Sequence, residues 1–162
     1  MEKAEEEHRI LRICWETNGN MNRELALRAA DQSFKSGGII KFDIKAWNEN
    51  VYRALCGISN IHIIENFRII GKKYFEERQE VPILTASTLL VPGYIDREEV
   101  SSIARFISEI SPEIPYTLLA FYPNYVMNDL PTTSKKQALE CYYVAKKYLE
   151  HVKIGNVHLL RD

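Results

Sequence analysis

Hydrophobic residues fall along this chain in two alternating rhythms. Short dense apolar runs at residues 10–15, 39–46, 83–91 and 116–122 are rich in the β-branched and aromatic side chains of strands. Between them the apolar positions spread out to helical spacing. Leu25, Ala29, Ala30 and Phe34 follow Asn22, a candidate N-cap, and Gly37-Gly38 sits where a helix stops. A short helical turn is predicted over residues 51–55, and Ile61, Ile64, Phe67, Ile70 and Phe75 mark a longer helix over residues 60–77. Asp96 with Glu99, and Ser134 with Gln137, have the spacing of capping boxes that open helices reaching Ile110 and Tyr148. Residues 152–160 predict a last short strand, and the charged stretch 2–9 reads as the end of a helix.

Strands separated by helix-length stretches, without hairpin signals between them, predict βαβ crossovers and a parallel sheet: an α/β fold of about four strand–helix units. No Ser- or Gly-rich linker divides the chain, so residues 1–162 are expected to form a single domain. Periodicity alone leaves open whether the sheet is a barrel segment or a doubly wound open sheet.

The second strand departs from the continuous apolarity of a strand buried on both faces. Ile40, Phe42 and Ile44 alternate with Lys41, Asp43 and Lys45, so three charges share one face. Burying such charges unpaired would cost several kcal/mol, roughly, so that face is either wet or partnered. An edge strand with a solvated face is one reading. The other strands point to a pocket: the first ends in Glu16-Thr17-Asn18-Gly19, the third carries Thr85 and Ser87 on one face, and the fourth ends in Tyr122, in phase with Tyr116, Leu118 and Ala120. Polar side chains at the C-terminal ends of parallel strands lie where such folds bind ligands. A carboxylate and an amine from Asp43 and Lys45 suit a small zwitterionic or ribose-bearing molecule better than a polymer.

Composition narrows the classes further. A net charge of −1 and a pI near 6.4 provide no basic field for nucleic acid or anionic lipid. No apolar run approaches the ~20 residues that cross a bilayer, and the first seven residues are acidic where a secretory signal is basic, so a cytoplasmic protein is expected. Cys14, Cys56 and Cys141 are too dispersed for a disulfide framework, a zinc loop or a cluster loop. The four histidines show no metal-ligand spacing, and no phosphate-binding glycine motif or Gly-x-Ser-x-Gly elbow is present.

Trp15-Glu16-Thr17-Asn18-Gly19, Gly38-Ile39-Ile40-Lys41-Phe42-Asp43-Ile44-Lys45-Ala46, Tyr52-Arg53-Ala54-Leu55-Cys56-Gly57 and Thr88-Leu89-Leu90-Val91-Pro92-Gly93 occur in one order. Leu118-Leu119-Ala120-Phe121-Tyr122-Pro123 and Met127-Asn128-Asp129-Leu130-Pro131 continue it. This series resembles the radical S-adenosylmethionine enzymes, above all the pyruvate formate-lyase activating enzymes. The resemblance implies the C-terminal part of a partial (βα)₆ barrel with S-adenosylmethionine across its mouth. Asp43 and Lys45 would meet the ribose and methionine end, and Leu89 the adenine. Ser87 stands where the family usually has an arginine, and Tyr122 where it often has a histidine. Glu16, Thr17, Lys41 and Asp43 would correspond to a monovalent-cation site, with Glu16 in place of the usual aspartate.

The family's Cys-x-x-x-Cys-x-x-Cys loop, which holds a [4Fe–4S] cluster, lies before the matching region and has no counterpart in these 162 residues. The resemblance therefore implies weak S-adenosylmethionine binding, no catalytic residue in this chain, and inactivity unless a separate cluster-binding half completes it. The alternative is a non-catalytic module that assembles as a homo-oligomer through an exposed sheet edge.

Overall fold

β2 takes its place in the sheet because Ile40 and Phe42 bury one face while Lys41 and Asp43 keep the other accessible. In the computed structural model, which describes residues 6–7, 9–78 and 80–162, five strands follow this logic: β1 (Trp15–Thr17), β2 (Ile40–Asp43), β3 (Leu84–Leu90), β4 (Tyr116–Ala120) and β5 (Val152–Gly155). The helices are α1 (Arg23–Ser36), α2 (Glu49–Cys56), α3 (Ile61–Tyr74), α4 (Arg97–Ser108) and α5 (Lys135–Ala145). The stretch 2–9, read as a helix end, lies largely outside the described residues.

All pairings are parallel, and the strand order is the chain order, β1-β2-β3-β4-β5. Parallel crossovers are right-handed, so an order that never reverses puts every crossover helix on the same face. A doubly wound sheet would need a reversal. The question left by periodicity is thereby answered: the sheet is singly wound, an open partial (βα) barrel.

The helix-covered face holds the core. Ile40, Phe42, Leu84, Ala86, Leu90, Tyr116, Leu118 and Ala120 are all buried. Phe42 packs edge-on against Phe67 at 5.4 Å between ring centroids, and Phe67 meets Phe106 at 5.7 Å. Two polar groups on this face satisfy each other: the Tyr116 hydroxyl donates to Thr88 Oγ1 at 2.8 Å, and Thr88 Oγ1 donates to the Ile44 carbonyl at 2.7 Å.

Three sequence expectations are corrected. The first strand begins at Trp15, leaving Ile10 and Leu11 exposed, because β2 starts at Ile40 and offers earlier residues no ladder partner. The Ile13 N–H turns instead to Ser36 Oγ at 2.9 Å. In α3 the buried stripe is Ile63, Phe67, Ile70 and Tyr74, with Ile61 exposed. Isoleucines at 61, 63 and 64 left the phase ambiguous. Finally, Asp96 and Ser134 cap their helices by accepting the N–H groups of Glu99 (3.0 Å) and Gln137 (3.1 Å), but the Glu99 and Gln137 side chains reach to neighbouring loops instead of back to the cap.

Two substitutions test this packing. A Cβ on Gly38 would lie 1.9 Å from the Ile13 carbonyl oxygen, a clash with backbone that no side-chain rotation relieves. Gly38→Ala is expected to lower the urea midpoint by the equivalent of at least about 2 kcal/mol. Asn66→Ala, which removes one buried and one half-buried hydrogen bond, is expected to cost about 2–4 kcal/mol in the same measurement. A midpoint unchanged in either variant would contradict the assigned contacts.

Candidate ligand site at the sheet mouth

The loops leaving the C-terminal ends of the strands are each held by a side chain from a later part of the chain. Asn66, buried in α3, donates to the carbonyls of Gly19 (2.9 Å) and Met21 (2.8 Å) in the loop after β1. Glu99 of α4 accepts the N–H groups of Trp47 (2.6 Å) and Asn48 (3.1 Å) after β2, and Asn60 donates to the Trp47 carbonyl at 2.6 Å. Gln137 of α5 donates to the Ile95 carbonyl after β3 at 2.8 Å. Thr133 Oγ1 accepts the Phe121 N–H after β4 at 2.7 Å and donates to the Leu90 carbonyl at 2.7 Å.

The uncovered face is layered along the strands. Strand register aligns Glu16 with Lys41 and Thr85; then Asp43 with Ser87, Thr117 and Lys153; then Leu89 with Leu119 and Gly155. Charge gives way to apolar surface toward the mouth. Asp43 Oδ2 lies 2.9 Å from Lys45 Nζ, with the two side chains 35% and 33% exposed. The buried Ser87 hydroxyl donates to Asp43 Oδ1. Burial pushes the Asp43 carboxyl up, but the Ser87 hydrogen bond, the Lys45 hydrogen bond and charge, and the charge of Lys41 together outweigh it and hold the group below its ordinary 3.8. Asp43 is therefore a carboxylate throughout the neutral range.

Next to this cluster is a cavity of about 160 Å³ lined by Lys45, Leu55, Cys56, Leu89, Phe121 and Met127. A mostly apolar wall with one ammonium on it, beside a carboxylate and a hydroxyl, complements a ligand with an apolar ring and a group that both donates and accepts hydrogen bonds.

Four of the residues read from sequence come together here: Asp43, Lys45, Ser87 and Leu89. Tyr122 lies beyond the end of β4 with 57% exposure, and Phe121 walls the cavity in its stead. Tyr116, Leu118 and Ala120, read as in phase with Tyr122, face the core; Thr117 and Leu119 are the β4 residues on the open face. Glu16 Oε1 is 3.0 Å from Lys41 Nζ, so an ammonium stands beside that carboxylate. Thr17 alternates to the other face and accepts the Gly19 N–H at 3.0 Å. Sequence reasoning missed Leu55 and Met127. An apolar helix end and an apolar loop carry no signal of which face they line.

Cys14 and Cys56 are exposed and Cys141 is buried, its thiol pushed up to about 12, chiefly by burial. Among the described residues no three His, Cys, Asp or Glu side chains are grouped to hold a metal ion, and no helix is long and apolar enough to cross a membrane.

No protein-family model matches the chain. An isethionate sulfite-lyase activating enzyme of Desulfovibrio desulfuricans is 35% identical over 115 residues, 70% of this chain and 34% of that protein. A Methanocaldococcus jannaschii protein named as a glycyl-radical enzyme activating enzyme is 31% identical over 115 residues, 70% of this chain and 42% of that protein. The chain thus spans less than half the length of either relative. A domain of a pyruvate-formate lyase-activating enzyme from Bacteroides vulgatus superposes with a TM-score of 0.72 at 17% identity, covering 95% of this chain and 86% of that one, and so shows the same fold.

The Asp43 environment predicts a definite titration. Because its folded value is depressed, Asp43 contributes stability that is complete above the ordinary carboxyl range and is lost as pH falls below 3.8 through the folded value. Ser87→Ala removes the largest stabilising contact and is expected to raise that midpoint, as read from the Asp43 carboxyl carbon by NMR. A midpoint that stays put would show that Ser87 does not hold the carboxylate.

Proposed function

We infer, from a chain that is an activating-enzyme-like fragment of the radical S-adenosylmethionine type, that its sheet mouth receives the adenosyl and aminoacyl parts of S-adenosylmethionine. The observation that carries this reading is the adjacency of the Asp43–Lys45–Ser87 cluster to the cavity walled by Leu89 and Phe121. The residues present fit the ligand's chemistry. A ribose diol can donate to the Asp43 carboxylate and accept from Lys45, both about two-thirds buried yet reachable. A flat base can lie against Leu89 and Phe121, which exclude water from its faces.

When bound, S-adenosylmethionine supplies the sulfonium carbon–sulfur bond that this class of enzyme cleaves with one electron. The protein's part is to orient it: Ser87 fixes the Asp43 carboxylate, Asp43 and Lys45 fix the ligand's polar end, and the mouth loops hold the wall. Ser87 is neutral where the family usually has a guanidinium, so binding is expected to be weak.

The residues present do not fit the iron–sulfur cluster. Three thiols dispersed over the chain, one of them buried in α5, cannot form its ligand set. In this reading the electron comes from polypeptide outside these 162 residues. One feature of the surface supports completion by another polypeptide. Among the described residues β1 pairs on one side only, and beside it lies a mostly apolar groove of about 360 Å³ lined by Trp15, Met21, Leu25 and Ala29 with Arg28 and Gln32. Trp15 is 40% and Leu25 50% exposed there. A further strand–helix unit would pair with β1 and lay its helix in the groove. The same edge supports the second reading, a non-catalytic homo-oligomer.

Isothermal titration of the chain with S-adenosylmethionine is expected to give a Kd of about 0.1–1 mM, weakened at least tenfold by Asp43→Asn or Lys45→Ala. Equal affinity in those variants, or no heat of binding at millimolar ligand, would defeat the reading. Sedimentation of the ligand-free chain separates the alternative: a concentration-dependent dimer lost in Trp15→Asp is the outcome that favours the assembly module.

A further inference from the structure

On the helix side of the sheet, opposite the open face that carries the Asp43 cluster, α4 and α5 pack side by side. Between them runs an open groove of about 340 Å³. Arg97 and Glu98 of α4 line one side of it. Glu140, Tyr143 and Val144 of α5, with Lys147 in the turn beyond, line the other.

The charges on this groove are crossed. α4 brings a cation followed by an anion, and α5 brings an anion followed by a cation. Among the described residues no ion pair joins the two helices, and Glu140 reaches only Lys136 of its own helix, at 4.0 Å. Apolar surface lies among these charges. Tyr143 is 64% exposed, and Leu139, one turn earlier on the same stripe of α5, is 47% exposed.

We propose that the α4–α5 groove is a self-association surface whose occupant is a second copy of this chain. Charge selects that partner. Nucleic-acid phosphates or anionic headgroups would gain from Arg97 and Lys147 but lose as much to Glu98 and Glu140. A surface with both signs in crossed order complements itself. Both helices return from the C-terminal ends of parallel strands, so they run in the same direction. A two-fold axis between them and along them keeps that direction and sets α4 over the second copy's α5. Arg97 then faces the second copy's Glu140, Glu98 faces the second copy's Lys147, and symmetry repeats both contacts. Glu140 and Lys147 are two helical turns apart, about 10 Å, a span that the long Arg97 and Lys147 side chains cover. Exposed ion pairs of this kind fix register more than they add affinity. Tyr143 supplies the anchor, as aromatic residues at the middle of interfaces commonly do. The inference is independent of the S-adenosylmethionine reading, whose cavity lies on the other side of the sheet, and of assembly through the β1 edge.

Sedimentation equilibrium of the whole chain tests it. The unsubstituted chain is expected to pass from monomer to dimer as its concentration rises towards about 1 mM. Arg97→Glu and Glu140→Arg each set like charges opposite one another, and each is expected to weaken the dimer at least tenfold. The double variant restores opposite signs and is expected to return to within about threefold of the unsubstituted chain. Tyr143→Ser is expected to lose at least tenfold, and Trp15→Asp to leave the dimer intact. A chain that stays monomeric at every concentration overturns the proposal. So do single variants that dimerise as well as the unsubstituted chain, or a double variant no better than either single one. A dimer lost in Trp15→Asp and kept in Arg97→Glu overturns it too, by moving the association to the β1 edge.

Discussion

The site depends on hydrogen bonds that cross from one strand–helix unit to the loop of another. Asn66, Glu99, Gln137 and Thr133 each hold backbone at the C-terminal end of a strand. Loops at such positions expose peptide groups that the sheet has stopped pairing, and each unpaired buried group would cost about 1–3 kcal/mol. Supplying the partner from a helix elsewhere satisfies the group and fixes the loop's position in one contact. The mouth loops are therefore tied to α3, α4 and α5 and, through Thr133, to the end of β3. The helix caps show the same economy of parts: Glu99 and Gln137 sit at capping-box positions, yet their side chains are committed across the fold instead of to their own helices.

Single winding explains the chemistry of the other face. With every crossover helix on one side, the remaining side of the sheet has no helical cover, so its residues can be ionic at a reduced burial penalty that hydrogen bonds and opposite charges offset. Glu16–Lys41 and Asp43–Lys45 use that freedom in internally neutral pairs. Toward the mouth, Leu89, Leu119 and Phe121 replace charge with surface that can desolvate a ligand. The gradient from charged to apolar along the strands is thus a consequence of topology as much as of site chemistry.

Much of this was legible in the chain. Alternation at residues 40–45 marks a charged face, and Gly37, Asn22 and Asp96 mark helix ends that the structure has at the same positions. Asp43, Lys45 and Ser87 could be grouped because period-two spacing in two strands puts polar residues on one side. β4 defeated the same reasoning. Thr117 is the one polar mark on its open face, too little to distinguish the core-facing Tyr116 and Leu118 from the open-facing Leu119, and Tyr122 was placed by a phase that ends at Ala120. Met127 was out of reach for another reason: its position comes from the Phe121–Thr133 closure of a long loop, a contact between residues that local spacing does not relate.

How readily the site accepts a ligand follows from the kind of contact that occupies it. The Asp43–Lys45 pair is about one-third exposed, and an ion pair so screened contributes at most about 1 kcal/mol. Under the proposed reading, separating the two side chains to admit a hydroxyl or an aminoacyl group would cost little, and each charge would regain a partner from the ligand. The Ser87–Asp43 contact differs because its hydroxyl is buried and has no water to return to. On that reading it would persist while the lysine moves. The carboxylate would then be the fixed point of the proposed site and Lys45 its adjustable one, a division set by the buried Ser87 hydroxyl that only the carboxylate contacts.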